Sequence, residues 1–144
     1  MHFDIEDFLP YLLNRAAESS SVSFQKIYKQ KYGMLRTEWR VLFHLGYYNE
    51  MTASMICQMA DLHKTKVSRA VSALEEKRYI HRLWHDDDRR FASLSLSAQG
   101  RVVYDDLSAL AAQFHNDLMG DFTKKEQEIF MDCLRRLRGK KTLS

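Results

Sequence analysis

Proline is almost missing from this 144-residue sequence, with one copy at position 10, and glycine occurs only five times. So few turn-formers exclude a sheet-rich fold built from many tight turns. Cysteine is equally scarce. Cys57 and Cys133 lie far apart and outside any C-x-x-C spacing, which argues against a disulfide framework and for a reducing, cytoplasmic setting. No stretch approaches about 18 uninterrupted apolar residues, so no membrane partner is expected. The acidic start, from Met1 to Asp7, lacks the basic opening and apolar run of a secretory signal, and none is expected. A Gly-rich phosphate loop, a G-x-S-x-G elbow and an H-E-x-x-H pair are all absent, so catalysis has no foothold and no cofactor is implied. His81, His85 and the aspartates 86–88 cluster in sequence. On a strand, however, the two histidines stand roughly 13 Å apart, too far to share one ion at about 2.0–2.1 Å, and no metal is expected.

What is present is ordinary for a globular chain: 45% apolar and 28% charged residues, with a net charge of +3. Helical spacing of Phe8, Leu9, Leu12, Leu13, Ala16, Phe24, Ile27 and Tyr28 predicts one long helix from about Asp7 to Tyr32, capped by Asp7 and stopped by Gly33. At roughly 37 Å it carries more apolar surface than one lobe covers, which points to packing against a second chain. Thr37 is the expected cap of a second helix to about Tyr48, with Trp39, Leu42, Phe43 and Leu45 inward, and Thr52 of a short third one through Ala60. A break at Asp61-Leu62-His63 precedes a fourth helix from about Lys64 to Lys77; two short helices so spaced have the helix-turn-helix form. Alternation of Ala92, Leu94 and Leu96 with Ser93 and Ser95 predicts a β-hairpin, Ile80–Trp84 and Phe91–Leu96, around a charged tip. Ser97 opens a long helix to Met119. Thr123-Lys124-Lys125-Glu126 is a capping box for the last one, whose Ile129, Phe130, Cys133, Leu134 and Leu137 are expected inward.

The expected fold is mainly α with a small β-hairpin wing. The middle of the chain, residues 35–97, forms a winged helix-turn-helix lobe, and both ends, 1–34 and 98–144, form a helical dimerisation lobe.

On a helical wheel, Val67, Ala70, Val71 and Leu74 fall within about 100° and form a buried stripe. Thr65, Ser68, Arg69, Ser72 and Glu76 lie opposite, with Lys66 on the flank and Lys64 at the N-terminal end. Every one of these before Glu76 donates hydrogen bonds. Arg69 suits a guanine edge, and the short hydroxyls of Thr65, Ser68 and Ser72 allow close approach to bases. From Asp61 to Arg82, six cations (64, 66, 69, 77, 78, 82) stand against three anions (61, 75, 76), an excess equal to that of the whole chain. Double-stranded DNA is the partner this surface fits.

The pattern Asp88-x-Arg90 followed by Leu94-x-Leu96-Ser97-x-x-Gly100, with Lys64-Thr65-Lys66-Val67-Ser68-Arg69-Ala70-Val71, Leu74-Glu75 and Glu38-Trp39-Arg40-Val41-Leu42, resembles the MarR (multiple antibiotic resistance regulator) family over nearly the whole chain. The resemblance implies a homodimeric transcriptional repressor on a pseudo-palindromic operator. It also implies a wing that enters the minor groove with Arg90 as probe, Asp88 orienting it and Arg89 beside it. The sequence departs from the family at His63, where an Asp is usual, so a weaker cap is expected. It departs again at Arg78, where Gly is common and a positive φ would strain any other residue.

The same resemblance implies a small aromatic acid or phenol as effector, for which Tyr11 and Arg15 on the first helix and Trp39 and Phe43 on the second are the candidates. Alternatives from other classes stay open: a winged-helix protein–protein module without DNA binding, and a thiol-based regulator using Cys57 or Cys133. Both thiols are expected to be buried and structural, and the first helix, where oxidant sensors of the family carry a cysteine, has none.

Overall fold

The computed structural model describes residues 2–85 and 88–139, with side chains left out at His85 and at 88–91. A short 3₁₀ turn, Ile5–Asp7, leads into α1 (Leu9–Tyr32), α2 (Arg36–Tyr48), β1 (Met51–Thr52), α3 (Ala53–Ala60), α4 (Lys64–Glu76), β2 (Ile80–His85), β3 (Asp88–Leu96), α5 (Ala98–Met119) and α6 (Lys124–Arg138). The chain divides into two compact units, Met1–Leu110 and Ala111–Ser144.

Several helix ends follow from local chemistry. Gly33 takes φ 64 and returns its N–H to the last turn of α1, and Thr52 accepts from the Met55 N–H to start α3. Two expected caps are corrected. Asp4, not Asp7, does the capping: its carboxylate accepts from the Glu6 N–H and opens the 3₁₀ turn, and α1 begins only after extended Phe8, with Pro10 in its first turn. Thr37 does not cap α2, which starts one residue earlier behind extended Leu35. Arg36 in that first turn pairs instead with Glu18 of α1 at 3.0 Å.

The core of the first unit is built from Tyr28, Met34, Val41, Leu42, Leu45, Met51, Ile56, Val67, Val71, Leu74, Leu94 and Leu107, all buried. Helix α1 contributes only Phe24 and Tyr28 to the buried set, so most of its length lies open. Helices α2 and α5 approach so closely at Gly46 that a Cβ there would fall 2.2 Å from the Tyr104 ring, and Arg101 donates to the Gly46 carbonyl at 3.1 Å. Three antiparallel strands form the sheet in the order β1-β3-β2, where the sequence pattern predicts two. Met51 pairs with Leu94 and Thr52 with Ser93. On the other side of β3, Ile80 pairs with Leu96, Arg82 with Leu94 and Trp84 with Ala92.

In the second unit the capping box forms as expected: Thr123 Oγ1 accepts from the Glu126 N–H, and the Glu126 carboxylate accepts from the Thr123 N–H. That backbone donor holds the Glu126 carboxyl below the ordinary range. Gln127 donates to the carbonyls of Met119 and Phe122, fixing the bend at Gly120, and the rings of Phe122 and Phe130 stack 6.2 Å apart. The inward stripe expected on α6 is corrected. Ile129, Phe130 and Cys133 are exposed, and Leu134 and Leu137 are half-buried. An apolar stripe reports that a helix face is to be covered, not that the same chain covers it.

Candidate nucleic-acid interface

Helix α4 is the centre of the candidate site. Val67, Ala70, Val71 and Leu74 are buried, while Lys64, Thr65, Lys66, Ser68, Arg69 and Ser72 are all exposed on the same helix. Among the described residues no side chain engages Lys64, Lys66 or Arg69, so three cations and three hydroxyls stand open over about three turns. His63 proves a working cap despite being the unusual residue here: it is extended, and its Nδ1 accepts from the Thr65 N–H at 3.3 Å.

Three tertiary contacts and one local cap hold α4 in place. Lys77, just past its end, reaches the buried Glu38 of α2 at 3.0 Å. Arg82 of β2 grips Glu75 at 2.8 Å. Arg40 of α2 donates to the Ala60 carbonyl at 2.6 Å, closing α3 immediately before the turn into α4. Arg78 takes φ 65 and completes a Schellman motif: its N–H returns to the Glu75 carbonyl, and that of Tyr79 to Leu74. The position therefore does need the left-handed conformation that favours glycine.

The Leu94-x-Leu96-Ser97-x-x-Gly100 motif explains how the wing is fastened. Ser97 Oγ donates to the Arg78 carbonyl at 2.7 Å and accepts from the Gly100 N–H at 3.0 Å, while the Ser97 N–H donates to the Tyr79 carbonyl at 2.9 Å. A Cβ on Gly100 would meet that Tyr79 carbonyl oxygen at 1.9 Å. Ser97 and Gly100 thus clasp the return of the wing against the turn that ends α4. Asp88, Arg89 and Arg90 lie in the first residues of β3, but their side chains, and Asp86 and Asp87 altogether, fall outside the described residues.

The effector candidates occupy two separate places. Arg15 donates to the Tyr11 hydroxyl at 2.9 Å on the open part of α1. Trp39 and Phe43, half-buried rather than fully inward, pack on one another, and Trp39 also packs on Phe24 and Tyr28. Arg15 precedes Phe24 by nine residues, roughly 14 Å along the helix. Among the described residues no hydrogen bond or ring contact joins Tyr11 or Arg15 to Trp39 or Phe43, and Glu18 pairs with Arg36. Cys133 is exposed and Cys57 half-buried, so the expectation of two buried thiols is corrected. No three His, Cys, Asp or Glu side chains are grouped for a metal ion among the described residues, and no helix among them is long and apolar enough to cross a membrane.

The fixing role of Lys77 and Arg40 is not legible in the sequence pattern. The available signal was Glu38, an acid placed where α2 faces the core and in need of a partner.

Residues 32–90 match the MarR family model. An uncharacterised HTH-type transcriptional regulator of Bacillus subtilis (strain 168), YwoH, is 23% identical over 127 residues, covering 87% of this chain and 92% of the relative. A MarR/EmrR family transcriptional regulator from Acinetobacter sp. ADP1 is 29% identical and superposes with a TM-score of 0.84, over 94% of this chain and 96% of that one. A mutant E. coli MarR complexed with operator DNA shares the fold at 17% identity, with a TM-score of 0.79 over 90% and 92% of the two chains. These relatives are regulators of transcription and not enzymes. Residues 32–90 thus carry the MarR family pattern, and the chain as a whole is similar in fold to winged helix-turn-helix transcriptional regulators of that family.

Proposed function

We propose that this regulator binds a pseudo-palindromic operator as a homodimer in the cytoplasm and represses by occluding a promoter. The observation that carries the reading is the exposed donor face of α4, unpartnered among the described residues and set over a fully buried apolar stripe. Lys64 and Lys66 are suited to phosphates. Arg69 is suited to a guanine edge, and Thr65, Ser68 and Ser72 to bases at close range. Asp88, Arg89 and Arg90 on the wing take the adjacent minor groove, with Arg90 as the probe, since narrow grooves attract Arg.

Dimerisation is supported in each unit separately. Phe3, Ile5, Phe8, Leu9 and Leu12 are exposed at the start of the first, and Leu118, Phe122, Ile129 and Phe130 in the second. Exposed apolar groups this dense mark an interface. In the dimer, the lobe made from 1–34 and 98–144 sets two copies of the 35–97 lobe about 34–36 Å apart, one turn of duplex. Release by a small aromatic acid or phenol through Tyr11, Arg15, Trp39 and Phe43 rests on the family resemblance alone.

Selection of binding sites from random DNA tests the reading, and a half-site spacing of one turn is expected. On the selected site Arg69→Ala costs about 1–3 kcal/mol and relaxes one base preference. Equal loss on unrelated duplex would demote Arg69 to a phosphate contact. Affinity falls steeply with salt. A purified protein that is monomeric, or ignores duplex at low salt, would leave the winged-helix protein–protein module as the better reading.

A further inference from the structure

We infer that Trp84 is a duplex contact of the wing, lying across the sugar–phosphate backbone between the groove entered by α4 and the groove reached by the wing tip. This rests on the DNA-binding reading above and adds a residue to it.

The pleat of the hairpin sets the direction of the indole. Alternate residues of a strand share a face, and so do residues directly paired across antiparallel strands. Ile80, Arg82 and Trp84, with their partners Leu96, Leu94 and Ala92, therefore form one face of the hairpin. It is the core face: Ile80 and Leu94 are buried, and Arg82 is held by Glu75 of α4. Two residues past Arg82, about 6.6 Å farther along the strand, the core has ended. There the same face presents a tryptophan that is 52% exposed. Leu83, also exposed, lies on the opposite face with Ser93. Trp84 is thus on the α4 side of the wing, between the recognition helix and the tip.

A duplex held by α4 and reached by the tip crosses this position with its backbone. The indole suits that crossing. Its flat apolar body packs against deoxyribose, and its Nε1–H donates to a phosphate oxygen. Carrying no charge, it displaces no counterion and reads no base edge.

The effect of Trp84→Ala is therefore distinctive. Affinity drops roughly five- to tenfold, the scale of half-burying one large aromatic side chain. The drop is the same on a duplex recovered by selection and on an unrelated duplex of equal length, and the slope of log affinity against log salt is unchanged. Trp84→Phe keeps part of the contact.

The deciding experiment uses the full chain labelled with 5-fluorotryptophan, which places probes only at Trp39 and Trp84. Trp84→Phe assigns the two fluorine resonances. At saturation with the selected duplex the Trp84 resonance is expected to move while that of Trp39, packed among Phe24, Tyr28 and Phe43, stays. A bound complex in which Trp84 does not respond overturns the contact and leaves DNA binding standing. So does a Trp84 shift produced by raising protein concentration without DNA, which would show a second copy covering the indole. Absence of any duplex binding by the unaltered protein, read by fluorescence anisotropy, overturns both.

Discussion

Glu38 of α2 and Lys77 at the end of α4 form a 3.0 Å ion pair in which the carboxylate side chain is only 6% exposed. The scaffold helix thereby grips the recognition helix at the end away from its exposed cations. The two partners are not equivalent, because the lysine is far better solvated. Lys77→Met strands a buried carboxylate and is expected to cost about 2–3 kcal/mol, below the full range for breaking a buried pair. Glu38→Gln leaves a neutral amide and should cost about 1 kcal/mol. Urea denaturation of the two variants checks the order, and a larger loss for Glu38→Gln would contradict it.

Gly100 lies in the first turn of α5, where alanine is ordinarily the better helix former by about 1 kcal/mol. Here Gly100→Ala is expected to destabilise by about 3 kcal/mol or more, because its Cβ would collide with the Tyr79 backbone and force the Ser97 clasp open. A Cβ added at Gly139 would meet nothing within 4 Å, and φ there is an ordinary −90, so Gly139→Ala should be near neutral. Thermal unfolding of the pair separates a steric requirement from a general effect of glycine.

Arg78 occupies the left-handed C′ position of a Schellman motif. Arg78→Gly removes the Cβ clash and should raise stability by about 1 kcal/mol. Duplex affinity should fall slightly through the lost charge. A loss of stability on denaturant titration would mean that the arginine side chain contributes more than its backbone costs.

Tyr32 and Asp106 tie α1 to α5, with Lys31 joining the same carboxylate at 2.7 Å. Burial first, and then the hydrogen bond to Asp106, push the Tyr32 phenol from 10.0 up to about 12. Its raised value means that folding favours the protonated phenol. That contribution is whole below about pH 10 and is lost as pH climbs through about 12. Lys31 first, and Tyr32 second, hold Asp106 below its ordinary range, so its contribution is present at neutral pH and lost in acid. Tyr32→Phe should flatten the alkaline fall in urea midpoint between about pH 10 and 12. An unchanged alkaline limb would show that another group governs it.

Much of the candidate site was legible in the residues because a helix repeats every 3.6 positions. The apolar stripe of α4 and the donors opposite it follow from spacing along one helix, and the Thr52 cap and the Thr123–Glu126 box have their partners within a turn of the chain. Where two nearby candidates compete, as Asp4 and Asp7 do before α1, the pattern does not choose between them. Strand β1 was invisible: Met51-Thr52 is too short for alternation to register, and it is a strand only because β3 supplies its hydrogen bonds. At His63 the departure from aspartate left the cap in place, through a 3.3 Å bond from the Thr65 N–H.

Local chemistry written into the chain was enough to determine the helices, most of their ends and the amphipathic face of α4, since each depends on spacing along the backbone. Contacts between distant residues decided the rest. The Glu38–Lys77 pair spans 39 positions and the Gly46 carbonyl meets Arg101 across 55, separations at which no periodicity connects the partners. For the same reason the sequence marks Ile129 and Phe130 as apolar without saying what faces them, and only the folded chain shows that its own core leaves them exposed.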